Sequence, residues 1–244
     1  MTQYDSPVPL YVQIKDYIRL NIQNGIYRAD EKIPSSRQFA DQFSVNRLTV
    51  TKAIKELVQE GLLYSQVGKG TYVAPAKIDQ MLQTLTSFTQ DMSRRGKNVS
   101  SKVLYANVDP ASDEVARALA ILRGAEVVVL HRVRLADGQI IALEKSHIIY
   151  ALCPNILDHH DFCRDSLYHV LRTDYNLHLT YARQTIEAKI ADENELELLE
   201  AERNTPVLSI TRVTYDTKDR PVEYVRSAYR GDRYSFYTVL RTLD

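Results

Sequence analysis

Long apolar runs, cysteines and net charge are all scarce in this sequence of 244 residues. No apolar run approaches the ~20 residues that a membrane-spanning helix needs, and the first residues show neither the basic nor the apolar segment of a secretory leader. Two cysteines, Cys153 and Cys163, cannot build a disulfide framework. We therefore expect a cytoplasmic protein that has no membrane partner.

The charge balance excludes a further class of protein. The 31 Lys and Arg residues are matched by 31 Asp and Glu residues, which argues against a chain coated in basic charge for unspecific nucleic-acid binding. The balance is uneven, because residues 1–76 carry a formal charge of +2 and the remainder carries −2. Ala74-Pro75-Ala76-Lys77 has a linker composition and predicts two domains, at residues 1–76 and 77–244.

Apolar spacing predicts three amphipathic helices near the N-terminus. The first runs from Pro9 to a stop at Gly25, and the second starts at the serines of Pro34-Ser35-Ser36. The third follows a cap at Ser44 and has an apolar stripe that begins with Leu48. Two short helices separated by a tight turn are typical of a helix-turn-helix motif.

A hairpin is predicted after these helices. Gly68-Lys69-Gly70 separates two short runs of β-forming residues, which indicates a tight turn between strands. Three helices and a hairpin make a winged helix-turn-helix, which inserts the start of its last helix into the major groove of DNA. The residues expected to meet DNA are short polar groups, cations and the wing glycines: Ser35, Arg37, Asn46, Arg47, Thr49, Thr51, Lys52, Gly68, Lys69 and Gly70.

Several segments of residues 8–74 resemble the GntR-type transcription regulators. They include Ile33-Pro-Ser-Ser-Arg37, Val45-Asn-Arg47-Leu-Thr-Val50 and Gly68-Lys-Gly-Thr-Tyr-Val73. Two positions depart from the usual pattern of that family, since Ser36 stands where Glu is usual and Thr51 stands where Arg is common. Because Thr cannot make the bidentate contact of Arg, we expect the base preference to differ from the family's usual one.

The second part of the chain reads as a mostly antiparallel sheet with helices packed on it, an α+β fold. One predicted hairpin spans 127–150, and a second at 207–229 repeats it, with Arg132-Val133 and Arg212-Val213 at matching places. Further strands are predicted at 101–108 and 185–191, and further helices after Ser87 and at 112–119, 166–172 and 194–203.

Alternation along the strands brings charged side chains to one face of this sheet. Arg132 and Arg134 point to the same side, about 7 Å apart, and repel each other unless an anion or carboxylates lie between them. Glu144 lies on the paired strand, and Glu223 and Tyr229 share a face of the last strand. In one interpretation these groups bind an anion that carries hydroxyls; in the other, the arginines pair with the two glutamates and bind nothing.

Residues 81–241 resemble the UTRA effector-binding domain of the HutC-type branch of the same family, which has a chorismate-lyase-like fold. The matching segments include Ser87-Phe-Thr-Gln-Asp-Met92, Arg132-Val-Arg134 and Pro221-Val-Glu-Tyr224. The resemblance to members that respond to amino sugars implies a phosphate held at two helix starts and by the strand arginines. The implied effector residues are Phe88, Thr89, Arg132, Arg134 and Ser166 for the phosphate, and Glu144, Glu223 and Tyr229 for the sugar.

The sequence therefore predicts a ligand-responsive repressor that binds double-stranded operator DNA as a homodimer and is released by a small anionic metabolite, such as an amino-sugar phosphate. The alternatives are a regulator that senses a non-sugar carboxylate, a chorismate-lyase-like enzyme acting on a small carboxylate, and a partner-binding module. An arginine clamp without a placed acid or base does not favour the enzyme. No cofactor is expected, and His159-His160-x-x-Cys163 has no second ligand pair at zinc-site spacing.

Overall fold

The computed structural model describes residues 8–66, 68–75, 77–240 and 242. The chain divides into two compact units, Met1–Lys77 and Ile78–Asp244. The first unit contains three helices and a two-stranded antiparallel hairpin, as a winged helix-turn-helix requires. Its elements are α1 (Leu10–Gln23), α2 (Ser36–Phe43), α3 (Arg47–Gln59), β1 (Leu63–Gln66) and β2 (Gly70–Val73).

The caps of α2 and α3 decide the turn between them. Ser35 caps α2 in a reciprocal capping box with Gln38, as its position before the helix predicts. The predicted cap of α3 at Ser44 is wrong. Ser44 is left-handed, with φ of 52°, and closes α2, whereas the side chain of Asn46 accepts the backbone N–H of Leu48 at 2.8 Å and begins α3.

All three helices bury one face in a single core. Ile18 of α1, Phe39 of α2 and Leu57 of α3 are fully buried together, and Leu63 and Val73 of the hairpin close this core from the side. Burial of apolar side chains is the main stabilising contribution in so small a unit.

Leu48 does not belong to this core, contrary to the predicted stripe. Its side chain is 76% exposed, whereas Val50, Ala53 and Leu57 turn inward. Since α3 begins only at Arg47, the inward face starts at Val50 and repeats every three or four residues, which places Leu48 outside it.

The second unit is built on a six-stranded sheet with helices on both faces. The strand order is β4-β5-β6-β9-β8-β7, and every neighbouring pair is antiparallel. The elements are β3 (Ile78–Met81), α4 (Phe88–Arg94), β4 (Val99–Pro110), α5 (Asp113–Leu119), β5 (Glu126–Ala136), β6 (Gln139–Ile149), α6 (Ile156–His159), α7 (Leu167–Thr173), β7 (Leu179–Ile190), α8 (Glu193–Leu198), β8 (Pro206–Asp216), β9 (Pro221–Arg230) and β10 (Tyr234–Tyr237).

The predicted internal repeat appears as a symmetry of this sheet. β4, α5, β5 and β6 are followed by β7, α8, β8 and β9 in the same succession, and the two halves meet where β6 pairs with β9. α4, α6 and α7 contribute to cores on one face, while α5 and α8 pack on the other. The face carrying α4 and α7 also presents Arg132 and its neighbours.

Three features differ from the predicted elements. β7 starts at Leu179, six residues before the predicted start at position 185, and α8 ends at Leu198 rather than near Arg203. Glu200 is left-handed, with φ of 49°, which stops the helix although the charge run continues. β3 and β10 form a separate parallel pair that periodicity did not show, because each has only four residues and they lie far apart in the chain.

Candidate functional site

One pocket lies between the sheet and helices α4 and α7, and it contains every residue that the sequence assigned to an effector. β5, β6, β8 and β9 form its floor, and the first residues of the two helices form its rim. The eight predicted residues that line it are Phe88, Thr89, Arg132, Arg134, Glu144, Ser166, Glu223 and Tyr229.

Arg132 and Arg134 are buried charges of this pocket, each 2% exposed. Arg132 donates to Glu144 in a short ion pair. Arg134 donates to the Thr89 hydroxyl at 3.0 Å, stacks on the Phe88 ring and lies 3.7 Å from the Glu144 carboxylate. One carboxylate therefore compensates two neighbouring guanidinium groups.

Both arginines keep buried donors that make no hydrogen bond to any residue that the structure describes. They are Nε and Nη1 of Arg132 and Nε and Nη1 of Arg134. Each buried N–H of a charged group that makes no hydrogen bond destabilises the folded protein by about 1–3 kcal/mol or more. The interpretation in which both arginines pair with Glu144 and Glu223 is thus correct only for Glu144, which pairs with both arginines. Glu223 accepts a hydrogen bond from Tyr168 instead.

Glu223 belongs to a second group of side chains at the other side of the pocket. Its carboxylate accepts hydrogen bonds from Tyr168 at 2.8 Å and from Thr214 at 3.1 Å. Arg212 lines the same wall and donates to Gln184 at 3.0 Å. Arg212 was not among the predicted site residues, although its match with Arg132 in the repeat was a usable signal.

Burial and charge shift the protonation equilibria of these groups. Burial, together with the charge of Arg132, lowers the pKa of Arg134 to about 10. Burial also raises the pKa of Glu223, helped by the charge of Glu144. For Glu144, burial acts in the raising direction, but the two arginines outweigh it and its pKa lies below the usual value. Burial raises the pKa of Tyr229 to about 12.

The net character of the pocket follows from this inventory. Its lining contains three arginines and two glutamates, so positive charge predominates even with both glutamates ionised, and the raised pKa of Glu223 acts in the same direction. The Ser166 side chain makes no capping hydrogen bond to α7, so its hydroxyl is not occupied by the end of that helix. The arrangement suits a small anion that also carries hydroxyl groups.

The predicted DNA contacts lie in the first unit at the start of α2, at the start of α3 and on the hairpin. Arg37 and Arg47 are exposed, and the Nε of Arg47 donates to the Ser36 hydroxyl at 3.0 Å. Several of these residues also stabilise the fold. Ser35 and Asn46 cap helices, and Lys52 lies over the Tyr11 ring. The Thr51 hydroxyl donates to the backbone carbonyl of Arg47, and the Thr49 N–H donates to the backbone carbonyl of Asn46.

The hairpin places Lys69 at an exposed tip between two glycines. Gly68 and Gly70 have positive φ, of 75° and 124°. A Cβ at Gly70 would lie 2.5 Å from the Lys32 side chain, so a larger residue there would force a rearrangement. Tyr64 and Tyr72 stack across the two strands, with ring centroids 5.5 Å apart, and stiffen the wing.

Neither His159 nor His160 is among the residues that line the pocket. His160 lies 3.2 Å from Asp174, while Cys163 uses its backbone N–H to bond Asp161. Within the described part of the chain, no three His, Cys, Asp or Glu side chains are placed to hold a metal ion. No helix among the described residues is both long and apolar enough to cross a membrane.

Comparison with known proteins assigns both units. The model of the bacterial regulatory proteins of the gntR family matches residues 10–73, and the UTRA domain matches residues 94–235. The transcriptional repressor NagR of Bacillus subtilis is 36% identical over 231 residues, which cover 95% of this chain and 94% of that protein. The histidine utilization repressor of Pseudomonas putida is 30% identical over 230 residues, covering 94% of this chain and 91% of that protein.

The fold also matches a solved structure along nearly its whole length. The crystal structure of PhnF from Mycobacterium smegmatis superimposes with a TM-score of 0.67 at 30% identity, covering 94% of this chain and 100% of the other. These families are transcriptional regulators, which decides against the lyase interpretation. The chain belongs to the GntR family of bacterial regulators and is a transcriptional regulator with a DNA-binding helix-turn-helix and a UTRA effector domain of the HutC and NagR type.

Proposed function

We propose that this regulator is a repressor that binds its operator as a homodimer and leaves it when an amino-sugar phosphate enters the pocket. Residues 1–76 bind the DNA, and residues 77–244 bind the effector and form the dimer contact. The name of NagR and its 36% identity support repression. Helix-turn-helix units read the two halves of a palindromic site, which supports a dimer.

The phosphate assignment rests on one observation, the buried unpaired N–H groups of Arg132 and Arg134. A phosphate between them accepts several charge-assisted hydrogen bonds and removes the cost of leaving those donors unpaired. Thr89 and Ser166 stand at the same rim and add hydroxyl donors. Glu144, Glu223 and Tyr229 then face the remainder of the ligand.

Those three groups favour a sugar over a flat carboxylate. Carboxylates accept hydrogen bonds from hydroxyl and amino groups, and the Tyr229 hydroxyl can donate as well as accept. A simple carboxylate would satisfy the arginines but would bring no hydroxyl or amino donors to the oxygens of Glu144 and Glu223. The non-sugar carboxylate remains the second candidate, because a histidine utilization repressor is also a relative.

Release from DNA requires a path from the pocket to the linker. Gln80 of β3 lines the pocket and accepts a hydrogen bond from Tyr234 at 2.8 Å, and Tyr234 packs against Tyr229. β3 begins at Ile78, directly after the linker. We propose that the ligand shifts α4, α7 and β3 together, with a coupling free energy of about 1–3 kcal/mol.

The test compares release of promoter DNA by glucosamine 6-phosphate, glucosamine, inorganic phosphate and a carboxylate such as urocanate in a gel shift. We expect release by glucosamine 6-phosphate, and we expect Arg132→Ala to bind the DNA normally but to need at least about thirtyfold more ligand. Arg117→Ala, an exposed arginine of α5 on the other face of the sheet, is the matched control. Release of the Arg132 variant at the ordinary concentration, or release by urocanate alone, would contradict the proposal.

A further inference from the structure

The start of α3 presents an apolar side chain where the sequence predicted only polar contacts to DNA. Leu48 is 76% exposed, more than any other large apolar side chain in the described part of the first unit. It is the second residue of α3 and follows Arg47 directly. Its predicted place in the core was wrong, so its exposure calls for another explanation.

The exposed face of α3 is the face that the proposed function directs at DNA. Residues three and four positions apart share a helix face, so Leu48 lies in line with Thr51, Lys52 and Lys55. Val50, Ala53 and Leu57 occupy the opposite, buried face. Leu48 therefore projects to the side from which the helix would enter the major groove.

The polar residues near Leu48 already make contacts with other groups of the protein. The side-chain oxygen Oδ1 of Asn46 caps the helix, the Thr51 hydroxyl donates to the Arg47 carbonyl, and Lys52 lies 3.7 Å from the centre of the Tyr11 ring. Leu48 has no such engagement to lose. It is free to contact a base edge without breaking an internal bond.

We propose that Leu48 reads a thymine in the operator by packing on its C5-methyl group. The thymine methyl is the one apolar group that base edges display in the major groove, so it is the chemical match for an exposed leucine at this position. The inference rests on the proposed function and adds a base preference to it. A single exposed leucine elsewhere, such as Leu20 of α1 at 55%, needs no such explanation.

The first step of the test identifies the base. A pool of random-sequence duplexes is selected on the full-length protein and on Leu48→Ala, and the two preferred sites are compared. We expect a thymine in each half-site that the wild-type protein requires and the variant does not. If the wild-type protein retains no duplex from the pool, the proposed function itself fails. If both proteins select the same site, only the assignment of Leu48 fails.

The second step isolates the methyl group. The selected duplex is made with that thymine replaced by deoxyuridine, which lacks only the methyl. We expect the wild-type protein to bind the uracil duplex about fourfold more weakly, from the free energy of burying one methyl-sized group. Leu48→Ala should bind both duplexes equally, while Leu20→Ala should keep the wild-type ratio. An equal discrimination by Leu48→Ala and the wild type would overturn the proposal, and circular dichroism confirms that the variant is folded.

Discussion

The two units of this protein handle charge in opposite ways. In the first unit, the cations of the proposed DNA-binding surface are exposed. Arg47, for example, donates a hydrogen bond to the hydroxyl of Ser36 at the protein surface. In the second, Arg132 and Arg134 are buried with donors left unpaired. The difference matches the partners, because DNA is a large surface that comes to the protein, whereas a small anion must be enclosed to be bound selectively.

The separation of the two cores offers the largest perturbation. Phe39 is fully buried in the first unit and stacks on Phe43, so Phe39→Ala should lower the free energy of unfolding of that unit by about 3–5 kcal/mol. Ligand binding by the second unit should persist, because Phe39 lies in a core formed only by residues of the first. Chemical denaturation and calorimetric titration measure the two effects. Equal loss of both activities would show that the units do not act separately, and the half-buried Phe43 provides a milder control.

A smaller effect is expected at the exposed surface. Arg47→Ala should weaken operator binding by about 1–3 kcal/mol and leave effector binding unchanged, because the side chain supports no buried group. Fluorescence anisotropy at matched salt measures the affinity. Lys55→Ala, two turns further along the same face, serves as control and should have less effect. An unaltered operator affinity of the Arg47 variant would count against α3 as the recognition helix.

The smallest expected effect concerns pH. Burial and Glu144 raise the pKa of Glu223, so the folded protein holds this proton more tightly than the unfolded chain. Glu223 therefore favours the folded state at low pH, and that contribution is lost as the pH rises from the unfolded pKa through the folded one. Glu223→Gln should remove this part of the slope of unfolding free energy against pH. Identical slopes for variant and wild type would mean that Glu223 is not the group that holds the proton.

In both regions the sequence predicted those features that depend on a few neighbouring residues. The wing and the cap at Ser35 follow from short-range rules, and the structure has them where expected. The strands that carry Arg132 and Glu223 alternate with a period of two, so the face of each side chain could be read directly. These signals need only a few neighbouring residues.

The predictions were wrong where the position of a residue depends on contacts between elements and not on its neighbours in sequence. Ser44 is as good a cap as Asn46, and only the packing of α2 against α3 determines which one begins the helix. Leu48 looks apolar in any count, but its exposure depends on the residue at which α3 starts. Arg212 lines the pocket because β8 and β5 flank the β6–β9 pair in the same sheet, which only the strand order of the folded protein shows.

By itself, the sequence determined the family, the order of elements and the residue types available for anion binding, because these depend on local pattern. Only the tertiary structure decided how the pieces meet. The register of Arg132 with Glu144 and the approach of Thr89 to Arg134 leave donors of both arginines unpaired, and that imbalance is set by packing between elements distant in the chain. Hydrogen-bond supply and demand in a buried pocket depends on geometry that no short segment contains.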